Sequence, residues 1–135
     1  YGSEYIFDAY KRLNGLKRFR ILTSMRFEYF LVLLKHAEFL IGNSSSGVRE
    51  TPLLGVPSIN IGLRQHRRNN ASTIINCDHS KTAIRKSLSQ VSKKKREQSS
   101  EFGDGNCAKK FEKILSQKKI WNSNQQKYFV DIDIK

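Results

Sequence analysis

Cysteine, acidic side chains and long apolar runs are all scarce in this sequence, and each scarcity removes a class of function. The two cysteines, Cys77 and Cys107, have no CxxC neighbour and no metal-ligand spacing, so no zinc site or disulfide framework is expected. They read as two reduced thiols of a cytoplasmic protein. No apolar run approaches the roughly 20 residues of a membrane-spanning helix, and no signal-peptide layout is visible. Twelve Asp and Glu face 25 Lys and Arg, a formal net charge of +13. That excess favours anionic partners such as nucleotides, nucleic acid or an acidic surface, without choosing among them. No internal repeat is present. The 135 residues suffice for one domain with its own core, and a first residue of Tyr rather than Met leads to the expectation of a fragment.

What is present is an alternation of short apolar runs with helical patterns. Residues 4–13 carry Tyr5, Ile6, Ala9, Tyr10 and Leu13 at helical spacing, and Asn14-Gly15 ends that helix. Phe19–Thr23 reads as a short strand. Ser24 is placed to cap a helix that buries a broad face of Phe27, Phe30, Leu31, Leu34 and Ala37. Phe39–Gly42 reads as a strand covered on both faces. Next comes Asn43-Ser44-Ser45-Ser46-Gly47, then a helix to about Leu54, shortened or kinked by Pro52 and closed by Gly55. Val56–Ile61 is a strand, residues 62–70 a loop with Arg64, Arg67 and Arg68, and Thr73–Cys77 a further strand. Asp78–Ser80 caps a helix with Ala83, Ile84, Leu88 and Val91 on one face. Residues 92–101, containing Lys93-Lys94-Lys95-Arg96, read as a solvated charged run. Gly103-Asp104-Gly105 is a turn, Asn106 a helix cap, and residues 116–135 a polar and aromatic tail with Trp121, Tyr128 and Phe129.

Strands alternating with helices imply βαβ units and a parallel sheet, whose ligands bind at the carboxyl ends of the strands. The serine turn, the Arg64 loop and Ser24-Met25 would then face one cleft. A strand that delivers small hydroxyl residues to a helix start is suited to an anion, because the first helical N–H groups lack internal partners. His36, His66 and His79 read as surface or loop residues, with no carboxylate at a spacing that suggests a catalytic triad or a metal site.

The ordered series Arg26-Phe27-Glu28-Tyr29-Phe30, Leu33–Ala37, Ile41–Glu50, Gly55–Gly62, Arg64-Gln65 and Arg68 resembles the C-terminal domain of the hydrolysing UDP-N-acetylglucosamine 2-epimerases, in particular the branch that starts sialic-acid-type sugar synthesis. Weaker matches continue at Phe102–Asn106 and Gln126-Lys127. The resemblance implies an α/β fold: a Rossmann-like parallel sheet with helices on both faces, one half of a B-type glycosyltransferase (GT-B) fold. It implies a UDP-binding domain over residues 1–115 and a tail over 116–135. It implies that Ser44 and Ser45, in the turn opened by Asn43, contact the diphosphate and that Glu50 takes the ribose hydroxyls. Arg64 would supply positive charge, the Met25 backbone would read the uracil edge, and Phe30 would pack beside the base.

The family's reaction eliminates UDP from the sugar nucleotide and then adds water, with no cofactor or metal. Its catalytic carboxylates belong to an N-terminal domain, and a histidine of its site to the region before Tyr1. The expectation is therefore a UDP-binding portion without catalytic residues or turnover of its own, taking a UDP-sugar, with no membrane partner. Dimers are common in the family, so a homodimer is a further expectation. The alternative reading is a basic half-domain that binds nucleic acid or an acidic partner.

Overall fold

A computed structural model describes residues 2–122 together with 124 and 126. Tyr128, Phe129 and Lys127 lie outside the described residues. The chain divides into two units, Tyr1–Ser99 and Ser100–Lys135.

The first unit is built on three short strands, β1 (Leu40–Gly42), β2 (Ser58–Ile61) and β3 (Ile74–Cys77). They form a parallel sheet in the order β1-β2-β3, with Ile41 opposite Ile59 and Asn60 opposite Asn76. Around the sheet stand α2 (Phe27–His36), a 3₁₀ turn (Ser45–Gly47), α3 (Glu50–Leu54) and α4 (Lys81–Val91), while the preceding α1 (Ser3–Leu13) buries no residue. The α/β reading with a parallel sheet holds. Leu34, Val48, Val56, Ile59 and Val91 are the buried apolar residues, and α4 packs on β2 and β3 while α2 packs on α3. Buried beside them are Thr51, Ser58, Asn60, Gln65 and Asn69. A core with this many polar members requires hydrogen-bond partners, and those partners turn out to shape the loops at the strand ends.

Several local expectations are corrected. Phe19–Thr23 is not a strand: it bonds to no neighbour in the sheet, and Phe19, Ile21 and Leu22 are exposed. A β conformation needs a ladder partner, whatever the local propensity. Ser24 does not cap α2. The cap is Arg26, in extended backbone with no side-chain cap bond. Its guanidinium stands 3.6 Å from Glu28 and lies over the Tyr29 ring, 5.7 Å from the centroid. Of α2, only Leu34 is buried, and β1 is not covered on both faces, since Ile41 remains 43% exposed. In α4, Ser80 caps as expected, with its Oγ accepting from Ala83 N at 3.2 Å. Ser87 rather than Leu88 is buried there, its hydroxyl donating back to the Ala83 carbonyl at 3.0 Å.

The charged run is not merely solvated. Arg96 donates to the carbonyls of Lys35 and Ala37, 2.8 Å each, and so closes the end of α2. Lys94 Nζ donates to the Ser72 carbonyl at 2.7 Å. The last carbonyls of a helix have no internal donor, which explains why a guanidinium with several N–H groups is used there.

The second unit contains α5 (Cys107–Leu115) and α6 (Lys118–Trp121). Asn106 occupies the cap position of α5, but its side chain makes no cap bond. Just before the helix, Asp104 accepts from Asn106 N at 3.1 Å and from Lys110 Nζ at 3.0 Å. Lys110 first, and the Asn106 N–H second, hold the Asp104 carboxyl down at about 2, below its ordinary 3.8. Both cysteines are free. Among the described residues no helix is long and apolar enough to cross a membrane.

Candidate nucleotide site at the strand ends

Each strand delivers a turn at its carboxyl end. After Gly42, with φ 154, comes Asn43, and Ser44 opens the 3₁₀ turn with its Oγ accepting from Ser46 N at 3.3 Å. The Ser45 carbonyl accepts from both Val48 N and Arg49 N at 3.0 Å. The expected single helix from Gly47 to Leu54 is thus two pieces, a three-residue 3₁₀ turn and the five-residue α3. Its C-terminus behaves as read, with Gly55 at φ 67. The split matters for the chemistry. A macrodipole sums over aligned peptides, and pieces this short sum to little. Attraction for an anion here has to come from individual N–H groups, serine hydroxyls and nearby cations.

The turn is held from behind by buried side chains. Ser58 Oγ of β2 and Thr51 Oγ1 of α3 both donate to the Gly47 carbonyl, at 2.6 and 2.8 Å. Gly47 itself has no room for a side chain without displacement, because an added Cβ would stand 3.1 Å from Leu40 Cδ2. The loop after β2 reaches over the same turn. Gln65 Nε2 donates to the Asn43 carbonyl at 3.3 Å, and Asn69 Nδ2 to the Val48 carbonyl at 2.9 Å.

Of the residues singled out in the sequence, Asn43, Ser44 and Ser45 lie together in the turn, and Arg64 lies in the loop joined to it, exposed. Glu50 is the first residue of α3, not one turn inside a helix. Its Oε2 is buried and accepts no hydrogen bond, an arrangement that costs free energy unless a donor arrives. Phe30 is half-buried on α2, its ring 6.4 Å from that of Phe27. α2 packs on α3, which relates the elements bearing Phe30 and Glu50. Met25 is half-buried in the extended segment before Arg26. Ser24-Met25 follows no strand, so the expected convergence of three strand-end turns reduces to two.

A separate cleft of about 470 Å³ opens at the ends of β2 and β3, lined by Gly62, Leu63, His66 and residues 76–79. None of the residues expected to contact UDP lines it. His66 and His79, read as loop histidines, flank this cleft, and the His79 ring lies close over Gly62, which has φ 77. No group of three or more His, Cys, Asp or Glu among the described residues is arranged to hold a metal ion.

The residues that sequence reasoning passed over are Thr51, Ser58, Gln65 and Asn69. For Thr51 and Ser58 a signal was available, a polar side chain inside a helix or strand pattern; Gln65 and Asn69 lie in a loop whose pattern gives none.

Known proteins resemble this chain over most of its length. The family model for UDP-N-acetylglucosamine 2-epimerase matches residues 2–116. The chain is similar to the UDP-N-acetylglucosamine 2-epimerase of Neisseria meningitidis serogroup B, 41% identical over 98% of this chain and 36% of that protein. It is similar to the polysialic acid biosynthesis protein P7 of Escherichia coli, 42% identical over 62% of this chain and 21% of that protein. It is also similar to the GDP/UDP-N,N'-diacetylbacillosamine 2-epimerase (hydrolyzing) of Campylobacter jejuni, 37% identical over 54% of this chain and 19% of that protein. The chain thus spans about a third or less of the length of these relatives.

Proposed function

The chain belongs to the UDP-N-acetylglucosamine 2-epimerase family, and from that membership we propose that it is the UDP-binding portion of a hydrolysing epimerase. The substrate is UDP-N-acetylglucosamine or a related UDP-sugar. The reaction removes UDP by anti elimination, leaving a 2-acetamidoglycal, and water then adds to give an N-acetylmannosamine-type sugar. In this reading the first 115 residues form the binding domain, and the chain's part is to hold the leaving group. Ser44 and Ser45, with Asn43 opening their turn, contact the diphosphate. Glu50 accepts from the ribose hydroxyls and Arg64 offsets phosphate charge. The Met25 backbone reads the uracil edge beside Phe30. None of these groups is assigned the acid–base steps, so the 135 residues alone bind UDP without turning over UDP-sugar. The protein works in the cytoplasm, as a homodimer.

The observation that carries this reading is the serine turn at the end of β1, hydrogen-bonded to the loop that bears Arg64 at the end of β2. Two strand-end loops tied to each other, one carrying hydroxyls and the other a guanidinium, suit a diphosphate. The unpartnered Glu50 oxygen supports a hydroxyl donor beside it. Titration calorimetry with UDP tests the reading: binding is expected, weakened by Arg64→Ala. Absence of binding at millimolar UDP overturns it, and release of free N-acetylmannosamine by the 135 residues overturns the assignment of no turnover.

A further inference from the structure

We propose that Gln65 and Asn69 are positioning residues that lock the Arg64 loop onto the serine turn, so that the two strand ends meet a diphosphate as one preformed site. The proposal rests on the UDP reading above and goes beyond it, because both amides bond within the protein and serve to hold other groups in place.

Both side chains are almost fully buried, 4% and 5% exposed. Each amide is used at both ends, which fixes its orientation. Gln65 donates through Nε2 to the Asn43 carbonyl at 3.3 Å and accepts at Oε1 from Arg68 Nη1 at 3.1 Å. Asn69 donates through Nδ2 to the Val48 carbonyl at 2.9 Å and accepts at Oδ1 from Ala71 N at 2.7 Å. The two carbonyls they hold are the entry and the exit of the turn that contains Ser44 and Ser45. The loop therefore grips the turn at both ends, and Arg64 is the residue immediately before one grip. Between the grips sits Arg67 at φ 60, the only non-glycine among the described residues in the left-handed region. Residues stay in that conformation where their surroundings hold them there. A diphosphate site assembled from two loops loses affinity when the loops must first be ordered. Bonds spanning them from buried amides remove that requirement.

The test compares UDP with uridine, which lacks the diphosphate, on the full chain. Asn69→Leu and Gln65→Met remove one grip each while adding no charge. The expected result is at least a tenfold loss of UDP affinity with uridine affinity unchanged within twofold. Arg64→Ala should then cost less in the Asn69→Leu background than alone, since an unlatched arginine has less to lose. Equal loss for UDP and uridine, as a merely structural role would give, overturns the proposal, and so does unchanged UDP affinity. If the unmodified chain binds no UDP, the underlying reading fails; if it binds and the variants bind equally, only the latch fails. Should both variants fail to fold, amide exchange in the unmodified chain decides. UDP should slow exchange over residues 44–49 and 63–69 together, and protection confined to the serine turn overturns the latch.

Discussion

Replacing Glu50 by glutamine should lower UDP affinity without lowering folding stability. Glu50 Oε2 is buried without a hydrogen-bond partner in the free chain. Leaving a buried polar atom unsatisfied costs about 1–3 kcal/mol. The residue as a whole is only half-buried, so the lower end applies, about 1 kcal/mol. A negative charge at a helix start contributes about 0.3–1 kcal/mol in its favour, and the five residues of α3 place that term at its lower end. Glu50→Gln keeps the volume and removes the charge. The free chain should therefore be unchanged or up to about 1 kcal/mol more stable, a rise in Tm of zero to roughly 6 °C for a unit of this size. Affinity should fall. A hydrogen bond from a ribose hydroxyl contributes about 1.5–3 kcal/mol to a carboxylate and about 0.5–1.5 kcal/mol to a neutral amide oxygen, which still accepts, so the loss of about 1–1.5 kcal/mol should lower UDP affinity about 5- to 12-fold. Urea unfolding measured by circular dichroism gives the first quantity and calorimetry the second. A Glu50→Gln chain destabilised by 1 kcal/mol or more would show that the carboxylate has a structural partner. Unchanged affinity would remove Glu50 from the site.

Three further outcomes follow from the geometry. Arg96→Ala should destabilise the chain by about 0.5–1.5 kcal/mol, by uncapping the Lys35 and Ala37 carbonyls, while Lys93→Ala is neutral in the same urea titration; equal effects would mean that the run acts only through its charge. Gly62→Ala should cost about 1–2 kcal/mol through its φ of 77, and since the exposed His79 ring can swing aside, His79→Ala in the same chain should not recover it. Recovery would assign the cost to the ring. Asp104, held down at about 2 by Lys110 and then by the Asn106 N–H, has a folded value below its unfolded one. Its contribution is therefore present above pH 4 and is lost as the pH falls toward 2. An NMR carboxyl titration should find that low midpoint and see it return toward 3.8 in Lys110→Ala. An unchanged midpoint refutes the lysine's role.

Much of the fold was legible because its signals are local. The bounds of α1, β1, β2, β3 and α4 follow from apolar period and from punctuation by Asn14-Gly15, Gly55 and Ser80. The errors arose where a partner decides the outcome. Phe19–Thr23 has strand composition but no ladder to join, and Asn106 stands at the cap position of α5 without a side-chain cap bond. At the candidate site, the serine turn and Arg64 were visible as residue types following predicted strands, and Glu50 as a residue of the helix after the turn. The division of the Gly47–Leu54 helix was not, although Pro52 signalled strain there.

By itself the sequence determined the α/β alternation, the position of the serine turn after β1, and the family, because spacing and ordered motifs are properties of near neighbours along the chain. Tertiary structure alone decided how the turn is held. Gln65 reaches a carbonyl 22 residues away and Asn69 one 21 residues away, and Arg96 closes a helix some 60 residues before it. Those bonds exist only once β1 and β2 pair and bring their ends together. No periodicity in the chain encodes which buried amide meets which carbonyl. That choice is made by the assembled sheet, where an unpaired polar group would cost more than the bond that satisfies it.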